Sequence, residues 1–158
     1  MKLWHEMTYD AAPEAVAEML ADPAFREQVC DAMHVLRRDV TIDGSGAEMV
    51  VRIDQTLPGR GIPSFARKIV GEEIQIVRNE TWTAVTDADL VIEVPGKPGT
   101  MNGTIALVGR GSQTVETVDG EIRVKVPLVG AKLEGLVRDL LLSALRAEHR
   151  VGRGWLAG

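Results

Sequence analysis

Four polar residues keep step with apolar strand residues, and any chemistry would be sought there first. Arg78 and Glu80 alternate with Ile74, Ile76 and Trp82; Arg38 is in phase with Leu36 and Val40; His5 shares a side with Leu3 and Met7. Successive side chains of a strand point to opposite faces. If these faces are the buried ones, the four groups are desolvated, need partners, and can orient a ligand head group or act as general acid and base. A bulge or a sheet end would put them in water instead, and for each taken singly that is the expectation. His5, His34 and His149 are far apart and Cys30 has no second thiol, so no metal is expected. Cys30 falls on the apolar side of a helix, where a free cysteine serves as a small hydrophobe. The chain contains no G-x-S-x-G elbow, no P-loop, no H-E-x-x-H and no C-x-x-C pair. That removes the common enzyme classes and leans the reading away from catalysis. No cofactor is expected.

Positioning these groups falls to a strand, two short helices, about six further strands and a long helix. Residues 2–9 alternate as a strand. Pro13 opens a helix with Val16, Met19 and Leu20 as its stripe, and Pro23 opens a second, to Ala32, that buries Phe25 and Val29. Residues 35–43 and 47–55 form a hairpin through Gly44-Ser45-Gly46. Residues 57–71 interrupt the strands, and 62–70 reads as a short amphipathic helix carrying Phe65 and Ile69, either a lid or a static cap. Strands follow at 73–85, 89–94, 100–108 and 112–126, the last bulged at Asp119-Gly120. From Val129 to Val151, Leu133, Leu136, Val137, Leu140, Leu141, Ala144 and Leu145 recur at helical spacing, Glu148 is assigned to the polar side, and Gly152 marks the stop. Local hairpins make the sheet antiparallel, and the helix must cover its concave face.

The length of 158 residues suits one domain. Aromatics are 4% of the chain against 45% hydrophobic residues, so the interior is built from smooth aliphatic side chains. A net charge of -5 opposes a sequence-independent grip on nucleic acid. There is no run of 18 apolar residues to span a bilayer, charges break the apolar runs of the N-terminus as no signal peptide would allow, and one cysteine permits no intrachain disulfide. The expectation is a cytoplasmic protein, a monomer or homodimer, without nucleic-acid or integral membrane contact.

A strand leading through Ala12-Pro13-Glu14-Ala15-Val16 into a helix that ends at Ala21-Asp22-Pro23, then six strands and a long helix, resembles the START and polyketide-cyclase superfamily, with its helix-grip fold of class α+β. More narrowly the chain resembles the domain-of-unknown-function family 2505. The stretches that carry this are Asp22 to Arg26, Ile62 to Gly71, Glu80-Thr81-Trp82 and Val118 to Gly130. The resemblance implies a curved sheet of about seven strands around the C-terminal helix, and between them a cavity for a lipid, sterol or polyketide-like molecule. With few large rings to plug that space, Met7, Val51, Phe65, Ile69, Ile76, Val137, Leu140 and Leu141 are the expected lining. The function expected is binding or carriage of a small hydrophobic molecule. The alternatives are a cyclase or dehydratase-like enzyme using His5, Arg38, Arg78 or Glu80, and a ligand-free interaction module using a sheet edge or the Trp155 tail.

Overall fold

The computed structural model describes residues 1–158. The chain runs β1 (Lys2–Tyr9), α1 (Pro13–Leu20), α2 (Pro23–Ala32), β2 (Arg37–Asp43), β3 (Val50–Pro58), α3 (Ser64–Val70), β4 (Glu73–Ala84), β5 (Asp87–Glu93), β6 (Gly99–Arg110), β7 (Gln113–Val124) and α4 (Gly130–Leu156). The seven strands form one antiparallel sheet in the order β1-β7-β6-β5-β4-β3-β2. From β2 onward each strand pairs with the next in sequence. Only β1 pairs out of turn, beside β7, and α1 and α2 carry the chain from that edge to the other. The curved sheet grips α4, the expected helix-grip architecture.

Local chemistry explains the breaks. Pro13 and Pro23 each occupy a first helical turn, where no backbone donor is lost. The Asp22 side chain caps α2 by accepting from the Ala24 N–H at 2.9 Å. Leu3, Met7 and Tyr9 of β1, Val51 and Ile53 of β3, and Ile74, Ile76 and Trp82 of β4 all enter one continuous core. The inward face of every strand is thereby fixed, because one slip in register would turn these side chains into water.

Three details depart from the sequence reading. The β2–β3 connection includes a 3-10 turn at Gly46–Glu48, so β3 begins at Val50 and runs on to Pro58. No bulge lies at Asp119-Gly120: Gly120 pairs directly with Gly103, and the one register irregularity falls between Trp82 and Ala84. Most consequentially, α4 continues through Gly152 to Leu156. A Cβ at Gly152 would stand 2.7 Å from the Tyr9 ring, so this glycine allows a close crossing of helix over strand and does not end the helix. The added turn brings Trp155 edge-on to Phe25, with centroids 5.7 Å apart, where the sequence suggested a free tail.

Candidate functional site

Under α2 and the C-terminal half of α4 the concave face is charged. Arg26 of α2 and Glu80 of β4 make a bidentate pair, Nη1 to Oε2 at 2.9 Å and Nη2 to Oε1 at 2.7 Å, and Arg26 Nε donates to the Leu20 carbonyl at 2.8 Å. Trp82 Nε1 also donates to Glu80 Oε1, at 3.0 Å. Arg78 Nε stands 2.7 Å from Glu80 Oε2, and Arg78 Nη1 reaches Glu148 Oε2 of α4 at 3.4 Å. Arg26, Glu80, Glu148 and Glu116 of β7 are all buried, at 2% exposure or less. The charges of Arg26, Arg78, Glu80 and Glu148 are tolerable there because each faces its opposite.

Its electrostatics follow. Burial alone would raise the Glu80 carboxyl, but the guanidiniums of Arg26 and Arg78 overcome this and hold it at about 2. Burial works against the charge of Arg78 as well, yet Glu80, Glu148 and Glu116 raise its pKa. Glu116 goes the other way: burial, then the neighbouring Glu148, push it up to about 8, and neither of its oxygens has a hydrogen-bond partner. Beside it, the Tyr9 hydroxyl is pushed upward by burial and by Glu116.

The four polar candidates separate. Arg78 and Glu80 meet inside, which corrects the expectation of exposure: β4 is regular through this region and keeps both in step with Ile76 and Trp82. Arg38 is exposed near the sheet edge, bonded to Asp31 at 2.7 Å and paired with Glu27. His5 is half-buried and faces α4; burial, then Arg146 and His149, lower its pKa. Arg26, Glu116 and Glu148 were missed, and Glu148 lies on the buried side of α4 and not the polar one. A signal existed for each. Arg26 is in helical step with Val29 and Cys30, Glu148 with Leu141 and Leu145, and Glu116 alternates with Val118 and Ile122.

Between sheet and α4 lies a cavity of about 40 Å³, walled by Leu3, Ile76, Leu90, Ile92, Met101 and Leu141 among others, with Gln55 and Arg78 as its only polar lining. A second, of about 30 Å³, lies toward α2 against Arg26, Cys30, Met33 and Ile53, again with Gln55 and Arg78. Burial pushes the Cys30 thiol up, so the thiol is a neutral part of a lining that also includes Glu148. Small-molecule pockets measure roughly 300–1,000 Å³, and a water needs about 10–15 Å³. In this packing the interior has room for a few waters, less than the shortage of aromatic rings suggested. Gly152 and Ala147, both buried on α4, let the helix settle close to its neighbours.

The larger space is outside. An open groove of about 610 Å³ runs between the end of α2, the 57–62 segment and α4, floored by Met33, Leu57, Ile62, Ile74, Leu140 and Ala144. Of the expected lining residues, Ile76 and Leu141 border the inner cavity and Leu140 the groove. Met7 and Val51 are buried in the core and border neither. Phe65 and Ile69 of α3 and Val137 of α4 are half-buried, and Lys132 of α4 stands over the Phe65 ring at 5.0 Å.

Solved structures of the same architecture are numerous. The protein TTHA0849 from Thermus thermophilus superposes with a TM-score of 0.68 at 16% identity, over 98% of this chain and 95% of that one. A START superfamily protein from Mycobacterium smegmatis gives 0.61 at 15%, over 95% and 96%. Norcoclaurine synthase from Thalictrum flavum gives 0.62 at 17%, over 100% and 87%. At such identities the likeness establishes the fold and nothing about activity. No curated protein matches the chain by sequence. No helix is long and apolar enough to cross a membrane. Residues 4–156 match the family model described as Protein of unknown function (DUF2505), and the chain belongs to that family.

Proposed function

We propose that this protein binds and carries a small apolar molecule, taken up in the groove between α2 and α4 and extending inward toward Arg78. One observation carries this reading: the groove and both inner cavities border on the same residue, Ala144. Met33 lines both the groove and the second cavity. Its unbranched side chain moves at little cost, so a rotamer change there joins outside to inside. Of these three connected spaces, the groove has the size of a small-ligand site.

Two groups at the inner junction suit an oxygen on the ligand. Arg78 Nη2 and Gln55 Oε1 are buried without hydrogen-bond partners, one able to donate and the other to accept. Formal charges on Arg26 and Arg78 are already matched by Glu80 and Glu148, so a hydroxyl or carbonyl fits this position better than an anion. Nile red, a neutral dye that brightens in apolar surroundings, tests the reading. The native protein is expected to bind it, and Ala144→Phe, which obstructs the junction, to weaken binding at least about tenfold, the equivalent of about 1.4 kcal/mol. Absence of brightening, or equal brightening by the variant, would overturn it.

A catalytic reading draws on a narrower observation, the Glu116 carboxyl held protonated near neutrality, as a general acid requires. Glu116 borders neither inner cavity nor the groove. Carriage is therefore the better-supported of the two.

A further inference from the structure

The groove is not electrically neutral. Arg60 from the 57–62 segment and Arg146 and Arg150 from α4 line it, and no acidic side chain does. Arg60, Arg146 and Arg150 form no ion pair, a property they share with Arg67, Arg110, Arg138 and Arg153; what sets them apart is that all three line one apolar groove. Arg146 and Arg150 are four residues apart on one helix, where like charges repel. The chain as a whole carries -5, so this concentration of positive charge runs against the general field. A second surface groove, of about 310 Å³ at α1 and the β4–β5 turn, has the opposite character, with Glu14 and Glu18 and no basic residue.

We infer that the groove selects an amphipathic anion, its apolar body over Ile62, Ile74 and Leu140 and its anionic oxygens held by Arg60, Arg146 and Arg150. This rests on the reading of the groove as a ligand site. Guanidinium forks match carboxylate and phosphate oxygens equally well in geometry, so both head groups belong to the class. An anion there relieves the repulsion between the arginines, whereas a neutral amphiphile gains only from the apolar floor. The neutral oxygen suited to Arg78 and Gln55 lies deeper and concerns a different part of the same molecule.

Competition against Nile red separates the possibilities, using dodecanoate, dodecyl phosphate and dodecanol below their micelle concentrations. At low salt the anions are expected to compete about tenfold more strongly than the alcohol, in line with charge-assisted hydrogen bonds partly exposed to water. That advantage should shrink in 1 M salt, where the screening length is about 3 Å. It should vanish in the triple variant R60Q/R146Q/R150Q, read as the ratio of anion to alcohol competition measured on that same variant. The stronger of the two anions identifies the head group as carboxylate or phosphate. Equal competition by acid and alcohol, or a preference that survives in the variant, would overturn the inference and leave the apolar site intact. Failure of all three to compete would overturn the ligand-site reading with it.

Discussion

Helix α2 is tied to the sheet by two arginine–carboxylate clusters, one buried and one in water. On one side Arg26, from the helix, meets Glu80 of β4 with both groups buried. On the other Arg38, from β2, meets Glu27 and Asp31 of the helix in the open. Water screens the outer cluster and competes for its hydrogen bonds, so it adds little to holding the helix down. Nothing screens the inner one. Removing either partner there strands a charge in a low-dielectric interior, so its members have become conditions of the fold. The contrast also explains where the ligand space stops. Charges this deep must stay in contact with one another, and they occupy the room that aliphatic side chains would otherwise leave open.

The largest expected effect comes from breaking the inner cluster. Glu80→Ala leaves Arg26 and Arg78 facing each other without their shared carboxylate, and removes the acceptor of the Trp82 indole. A loss of about 3–5 kcal/mol in urea denaturation is expected. A loss under about 1 kcal/mol would place the two clusters in one class and remove the distinction. Should the variant fail to fold, native-state hydrogen exchange on Glu80→Gln, which keeps the shape and part of the hydrogen bonding, reads the same interaction.

How far this contrast was legible depended on range. Secondary structure was written locally: prolines at 13 and 23, alternation in β4 and β7 and the helical stripe of α4 placed most elements within a few residues. The charged cluster was half legible, because Arg78 and Glu80 stand in apolar phase within one strand. Their partners were not, since Arg26 and Glu148 are 54 and 68 residues away from Glu80 along the chain and long-range pairing leaves no local trace. Applying the same phase test to the helices would have found them, because Arg26 and Glu148 each interrupt an apolar stripe, and applying it to β7 would have found Glu116. Gly152 misled for a related reason. A glycine that ends a helix and one that lets a helix touch Tyr9 look alike until the strand beneath is known. The groove was invisible because Arg60, Arg146 and Arg150 come together only after the β3–α3 connection folds against α4.

A smaller effect comes from the member of the inner region that has no partner. Glu116 is held at about 8 when folded, against about 4.5 for an unperturbed glutamate, so the folded state binds the extra proton between those values. Its contribution to stability is therefore full below about pH 4.5 and declines as pH rises through 8. Glu80, held at about 2, acts oppositely: its contribution is present above about pH 4.5 and is lost as pH falls toward 2. Together they place the stability maximum at about pH 4.5 and predict a melting temperature that falls from there to about pH 8. Glu116→Gln should flatten the alkaline decline and leave the acid side unchanged. A decline of the same slope in that variant would assign the titration to another group and detach Glu116 from the buried cluster.

The smallest effect is the one that makes the contrast quantitative. Arg38 bonds Asp31 through Nε at 2.7 Å and Nη2 at 3.2 Å and also pairs with Glu27, so on paper it has as many partners as Arg26. Bond count alone predicts that losing it should hurt as much. Solvent predicts otherwise, because in water each freed carboxylate is rehydrated at once and the ordering of three long side chains is relaxed. Arg38→Ala should therefore leave the urea midpoint unchanged within error at physiological salt, with any deficit confined to low ionic strength, where the exposed charges are least screened. A salt-independent loss comparable to that of Glu80→Ala would mean that the edge of β2 depends on this cluster for its docking to α2, and that burial is not what separates the two sides of the helix.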